Sequence, residues 1–202
     1  MRLYKNFFKR LLDIFLIGIF FPIWFTIFFI VLLLLLATQS SPYFYRGKRV
    51  GKDLVNFNII KFRTLNNKSG TEITGDTVTK NDVRLTKFGS VLRKFKLDEI
   101  PQLFLILSGK MSIVGPRPEL PIYVNKDYYL KHGISDVRPG LTDFSSIKYF
   151  KLAEIIPEND TNNYVYNKII PKKNILRRLY VKKMSFITDM QILWLTLKKY
   201  IL

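Results

Sequence analysis

The alternation of apolar and polar positions divides the chain into unlike stretches. Ile14 to Ala37 is an unbroken run of 24 uncharged, mostly apolar residues, long enough as a helix to cross a hydrocarbon core of roughly 30 Å. Polar positions return at Ser40, and Pro42 marks a boundary. Beyond it, Tyr43 to Tyr45 and Leu54 to Phe62 are rich in aromatic and β-branched residues and predict a small β-hairpin. Its tip would be the basic, glycine-containing stretch Arg46 to Lys52, where backbone can approach an anion closely. Asn66 to Asn81 reads as a surface loop. Leu85, Phe88, Val91, Leu92 and Phe95 then recur at helical spacing, and Leu103 to Leu107 predicts a short buried helix closed by Ser108-Gly109. Lys168 to Lys183 reads as a helix with a solvated basic face, able to touch anionic lipid. Phe186 to Leu202 is interrupted by Thr188, Asp189 and Gln191, and predicts an amphipathic helix lying on the core or in the membrane interface. The fold class expected is α+β, mostly helical, with a membrane-associated segment over 1–39 and a compact domain over 40–202.

The apolar run is too long and too aromatic for a signal peptide, and no small-residue cleavage site follows it. Arg2, Lys5, Lys9 and Arg10 precede it; Arg46, Lys48, Arg49 and Lys52 follow it. Positive charge marks the cytoplasmic side, so a straight span would carry one basic flank across against the usual rule. Pro22 removes the hydrogen bond to the Gly18 carbonyl and pushes Phe21 out of the α region. The expectation is a re-entrant helix, broken near Phe21-Pro22, that returns to its side of entry. A kinked transmembrane helix is the alternative, since membranes tolerate proline without reversing the chain.

Composition narrows the chemistry. The formal charge is +18, from 33 basic and 15 acidic residues, which calls for an anionic partner: nucleic acid, an acidic membrane surface or phosphorylated substrates. No aromatic-and-basic RNA-binding pattern is present, and the apolar segment favours membrane lipids and phosphorylated substrates over nucleic acid. There is no cysteine and a single histidine, His132. Disulfides and cysteine-based zinc sites are excluded, and a serine–histidine triad has little to draw on. A metal here would be held by carboxylates and water, which suits Mg2+ or Mn2+. Walker-type and GxGxxG phosphate loops are absent.

The candidate chemistry lies in Arg93-Lys94-Phe95-Lys96-Leu97-Asp98-Glu99-Ile100-Pro101-Gln102-Leu103, where two adjacent carboxylates sit in a basic neighbourhood. Pro101 belongs in the first turn of a helix, so the helix would begin at about Asp98 with that residue as its N-cap. Unpaired backbone N–H groups and the helix dipole would then keep Asp98 ionised. A simple helix cap explains Asp98 on its own. Downstream, prolines on both sides of Arg117 hold its backbone in a narrow range, as a bidentate phosphate contact wants. Val137-Arg138-Pro139-Gly140 repeats the arrangement more loosely.

Taken together, these residues resemble the bacterial sugar transferase family, the monotopic phosphoglycosyl transferases of the small single-domain type. The match runs through Lys9-Arg10-Leu11-Leu12-Asp13, Arg49-Val50-Gly51, Lys61-Phe62-Arg63-Thr64, Asp82 to Gly89, Leu97 to Leu103, Gly115-Pro116-Arg117-Pro118 and Val137-Arg138-Pro139-Gly140. Their order and spacing make the resemblance specific. It implies a re-entrant membrane helix and a catalytic domain on the cytoplasmic face of the bacterial inner membrane. The reaction implied is transfer of a sugar phosphate from a UDP-sugar to polyprenol (undecaprenyl) phosphate, an early step of glycan assembly. By position, Asp98 would be the nucleophile and a magnesium ligand, Glu99 its partner, and Lys61, Arg93, Arg117 and Arg138 would serve phosphate binding or support of the site. The chain departs from the family in three places. Phe21 stands where members often have a small hydroxyl residue, and Lys96 where a hydroxyl residue is common. Asp143 to Lys148 replaces a glycine and Gln-Val-Asn-Gly-Arg-like stretch and resembles a smaller branch. Two rivals remain: a non-catalytic basic membrane-associated binding protein, and a membrane phosphatase acting on the same lipids without a nucleotide.

Overall fold

The computed structural model describes residues 3–66, 79, 82–157 and 161–201. Most of the loop expected over Asn66 to Asn81 lies outside the described residues.

The apolar run folds as two helices. A π-helical turn (Tyr4–Phe8) leads into α1 (Lys9–Ile19), and α2 (Phe21–Thr38) follows a break at Phe20, where φ is −93° and ψ is 6°. The break comes one residue before the expected Phe21-Pro22 step, and Phe21 is already helical. Pro22 sits instead in the first turn of α2, where a missing N–H forfeits no helical bond. The Trp24 indole bridges the break, donating from Nε1 to the Ile17 carbonyl at 3.0 Å.

Strands β1 (Phe44–Val50) and β2 (Asn56–Phe62) form an antiparallel hairpin that pairs Phe44 with Phe62 and Val50 with Asn56. Of the basic residues expected at its tip, Arg46, Lys48 and Arg49 therefore lie within β1, and Lys52 opens the turn. The three within β1 find cross-strand partners, and the turn is Lys52–Leu54, with Asp53 and Leu54 both at positive φ (55° and 59°). Helix α3 (Lys87–Lys94) is capped by Thr86, whose side chain accepts from Gly89 N at 2.9 Å. There follow α4 (Gln102–Leu107), β3 (Ser112–Val114), α5 (Lys126–Lys131), β4 (Gly140–Thr142), α6 (Phe144–Lys148), α7 (Leu152–Ile155), α8 (Thr161–Tyr164), α9 (Ile170–Lys183) and α10 (Phe186–Ile201). Strands β3 and β4 pair in parallel, Ser112 with Gly140 and Val114 with Thr142. The two backbones nearly touch: a Cβ on Gly140 would lie 2.1 Å from Gly115 N, so only glycine fits there.

One face of α2 packs along the domain from end to end. Trp24 meets Phe104 at 5.3 Å between ring centroids; Phe28 meets Phe62 at 5.2 Å and Phe104 at 5.3 Å. Val31 and Leu35 complete the stripe against Phe62 and Leu92, at the three- and four-residue spacing of a single helix face. Away from that stripe, Ile23, Phe29, Ile30, Leu33 and Leu36 are exposed.

A buried polar network ties α1 to the domain. Lys9 Nζ lies 2.5 Å from Asp189 Oδ2 on α10, and the Tyr4 and Tyr180 hydroxyls donate to the same carboxylate. Asp13 Oδ1 accepts from Ser112 Oγ and Ile113 N of β3, each at 3.0 Å. Helix α10 turns Asp189 and Ile192 inward and leaves Phe186, Ile187, Trp194 and Leu197 exposed. The solvated face expected for α9 is corrected in part. Arg177 is fully buried, its guanidinium paired with Glu119 and donating to Asn174 Oδ1 at 2.8 Å. Its four-residue spacing from Lys173 lets both reach that carboxylate.

Candidate active site

Between α3 and α4 the chain makes one 3-10 turn, Leu97–Glu99. Its bonds run from residue to residue three apart: Glu99 N to the Lys96 carbonyl at 3.2 Å and Ile100 N to the Leu97 carbonyl at 3.3 Å. Pro101 offers no N–H to an α-helical ladder, and α4 begins only at Gln102. Asp98 is thus inside the tight turn rather than an N-cap. Lys96 stands at the cap position in the left-handed conformation, φ 55° and ψ 22°.

This placement changes the electrostatics expected of Asp98. The residue is 5 % exposed, and its Oδ1 has no hydrogen-bond partner among the described residues. Burial pushes its carboxyl above the usual carboxylate range, opposed first by Lys61 and also by Arg93. Glu99 behaves in the opposite way. It too is buried, but it accepts from Lys61 Nζ at 2.6 Å and from Arg117 Nη2. Burial acts to raise its pKa; Arg117 and Lys61 together outweigh that and hold the carboxyl well below its usual value. Lys61 Nζ also lies 3.8 Å from Asp98 Oδ2, so one ammonium serves both carboxylates.

The scaffold fixes each cation. Lys61 comes from the end of β2. Arg117 follows β3: its backbone N donates to Asp143 Oδ2 at 3.2 Å and its Nη1 to the Leu141 carbonyl at 2.7 Å, so the β3–β4 contact sets its position. Arg93, in the last turn of α3, donates from Nε to Thr64 Oγ1 at 2.7 Å, and its charge acts on Asp98. Arg138 is elsewhere. Its Nε donates to the Gly109 carbonyl at 2.9 Å, beyond the C-terminal end of α4, where Arg10 Nη2 donates to the Leu107 carbonyl at 2.8 Å. The structure therefore gathers Lys61, Arg93 and Arg117 around the acidic pair and places Arg138 at the other end of α4.

Several neighbours escaped the sequence reading. A cavity of about 120 Å³ is lined by Arg49, Lys61, Gln102, Arg117, Glu119 and Lys173 among others. Gln102 is 2 % exposed and its Nε2 has no partner among the described residues. Lys173 lies 3.0 Å from Glu119. Only the fold brings α9 here, although the spacing of Ile170, Lys173, Arg177 and Tyr180 marks a possible inward face. On another flank, Lys96 Nζ sits 5.5 Å from the Phe150 ring centroid, and Phe150 meets Tyr200 edge to face at 5.1 Å. Burial lowers the Lys96 pKa. Burial first and Glu99 second push the Tyr200 hydroxyl up to about 12.

No group of three or more histidine, cysteine or acidic side chains suited to a metal occurs among the described residues. A magnesium ion held by a single carboxylate with water and substrate phosphates needs no such group. Asp98, with one buried carboxylate oxygen unbonded among the described residues, fits that kind of site.

Known proteins similar to this chain share one family. The profile of the bacterial sugar transferase family matches residues 4–202. The chain is 34% identical over 164 residues to the uncharacterized sugar transferase EpsL of Bacillus subtilis (strain 168), covering 79% of this chain and 70% of that protein. It is 31% identical over 202 residues to a UDP-glucose:undecaprenyl-phosphate glucose-1-phosphate transferase of Klebsiella pneumoniae, covering 95% of this chain and 40% of the relative. A protein of the same description from Xanthomonas campestris pv. campestris is 37% identical over 117 residues, 56% of this chain and 24% of the relative. The chain thus spans less than half the length of two of these three relatives.

Proposed function

The chain belongs to the bacterial sugar transferase family, and from that premise we propose that it moves a sugar 1-phosphate from a UDP-sugar to polyprenol (undecaprenyl) phosphate. The products are polyprenol diphospho-sugar and uridine monophosphate. The work is done at the cytoplasmic face of the bacterial inner membrane, early in surface-glycan assembly. The observation that carries this reading is Asp98, a buried carboxylate with one oxygen unbonded among the described residues, in reach of the charges of Lys61 and Arg93.

The reaction exchanges one phosphoanhydride for another, so the obstacle is the approach of an anion to a diphosphate. An Asp98 oxygen attacks the sugar-proximal phosphorus. The bond from that phosphorus to the bridging oxygen breaks, its electron pair leaves with uridine monophosphate, and an aspartyl phosphosugar remains. A phosphate oxygen of polyprenol phosphate then attacks the same phosphorus and returns the bonding pair to Asp98. Glu99, ionised and clamped by Lys61 and Arg117, does not compete as nucleophile; it holds those two cations where the donor's oxygens arrive. The cavity of Arg49, Lys61, Gln102, Arg117 and Lys173 has the charge to receive the diphosphate. Asp98 would also hold magnesium, with manganese the alternative, together with the diphosphate oxygens. The bound ion supplies charge neutralisation.

A re-entrant path for α1 and α2 is part of the same proposal. It is supported by the stripe Trp24, Phe28, Val31 and Leu35, which lays α2 along the domain instead of carrying it away.

The test is a panel of UDP-sugars given to detergent-extracted protein with polyprenol phosphate and magnesium. Release of uridine monophosphate and formation of the lipid product are expected for at least one sugar. Chelation should abolish both, and Asp98→Asn should slow both on the order of a thousandfold or more. An Asp98→Asn protein working at an ordinary rate would rule out the nucleophile, and no release from any donor would leave a non-catalytic binding protein.

A further inference from the structure

We propose that Lys96 receives the phosphate of the lipid acceptor, at a subsite apart from the donor cavity; this rests on the two-substrate reaction proposed above. Lys96 is one of three non-glycine residues with positive φ among those described. Such a conformation is unfavourable for a lysine and persists only where its surroundings impose it. Lys96 is half-buried, and its ammonium makes no hydrogen bond or ion pair among the described residues; its contact is the Phe150 ring. It stands at the cap position of the 3-10 turn Leu97–Glu99 that carries the reacting pair. It does not line the cavity of Arg49, Lys61, Gln102 and Arg117.

What leads to Lys96 is apolar. Phe150 packs against Tyr200, in the last turns of α10. Trp194, Leu197 and Tyr200 follow one another at three-residue intervals, each about half exposed (59%, 56% and 46%), and so share one side of that helix. An exposed apolar track ending at an unpaired ammonium is complementary to a lipid with an anionic head. A soluble nucleotide sugar would have no use for the track. The acceptor phosphate must also approach a phosphorylated Asp98 that is itself anionic, and a cation on its own side offsets that repulsion. In the step Lys96 assists, the acceptor oxygen bonds to phosphorus, the Asp98–phosphorus linkage breaks, and no proton changes hands.

The full chain in detergent tests this through two readouts. In turnover, Lys96→Gln should raise KM for polyprenol phosphate on the order of tenfold and leave KM for the UDP-sugar near its wild-type value; Lys96→Arg should recover most of the loss. Phe150→Leu should shift the same constant in the same direction. In equilibrium binding, wild type should prefer a short-chain polyprenol phosphate over the unphosphorylated alcohol, and Lys96→Gln should erase that preference. An unchanged acceptor KM, or equal losses on donor and acceptor, would overturn the assignment, as would a preference that survives in Lys96→Gln. The binding arm needs no turnover. If wild type releases no uridine monophosphate from any donor, the transferase reading fails, while binding still decides Lys96.

Discussion

An ionised Asp98 leaves a buried oxygen without a partner among the described residues, and an unsatisfied buried acceptor costs about 1–3 kcal/mol. The group expected to react is therefore one the fold would be more stable without. Because its pKa in the folded state lies above the usual 3.8, folding is penalised as pH rises from that value through the folded one, and the penalty is absent below it. In the presence of chelator, Asp98→Asn should thus be more stable than wild type at pH 7 by roughly 1 kcal/mol, a gain that shrinks as pH falls toward 4. Thermal unfolding across that range measures it. The candidate pair was legible because adjacency and proline are local features. Its environment was not. Whether Asp98 caps an α-helix or lies inside a 3-10 turn depends on how the chain leaves α3, where Lys96 takes up a left-handed conformation that a lysine rarely adopts.

Among the elements, α9 shows most clearly what a linear pattern conceals. Its charges look alike in sequence, yet Arg177 is fully buried and Lys173 is drawn inward, both by Glu119. That carboxylate sits two residues past Arg117, 54 positions from Lys173. Burial pushes Glu119 up, but Lys173 and Arg177 outweigh it and hold its pKa at about 2 against the usual 4.5. The stability this supplies is complete above 4.5 and is lost as pH falls toward 2, about 3 kcal/mol in all. Glu119→Gln should forfeit it already at pH 7 and show a flatter acid limb in thermal or urea unfolding. The hairpin, α3 and α4 were readable from local periodicity. The pairing of β3 with β4 was not, since three-residue strands joined across more than twenty residues leave no local signal.

For the molecule as a whole, the question is how α1 and α2 meet the bilayer. The chain contains no cysteine, so single introduced thiols report without background. Ser40 and Leu3 are both exposed and lie on opposite flanks of the apolar run. On the re-entrant reading, Leu3→Cys and Ser40→Cys should both be protected from a membrane-impermeant maleimide added outside intact cells and both react in inverted vesicles. A straight span would give opposite answers at the two positions. The basic flanks and Pro22 carried much of this expectation. The lateral seat of α2 on Phe62, Leu92 and Phe104 could not be read from its sequence, because nearly every side of that helix is apolar.

Helix α4 is six residues long, about 9 Å of rod at 1.5 Å per residue. One end emerges from the turn that carries Asp98; Arg10, reaching from α1, grips the carbonyls of Ile106 and Leu107 at the other. On the re-entrant reading proposed above, the height of the acidic pair above the lipid would be set by the depth at which α1 settles. A thicker or more anionic bilayer that drew α1 inward would lower Asp98 with it, toward the plane where lipid phosphates reside. The membrane would then serve as a ruler for the proposed chemistry, its composition tuning how far an acceptor must climb.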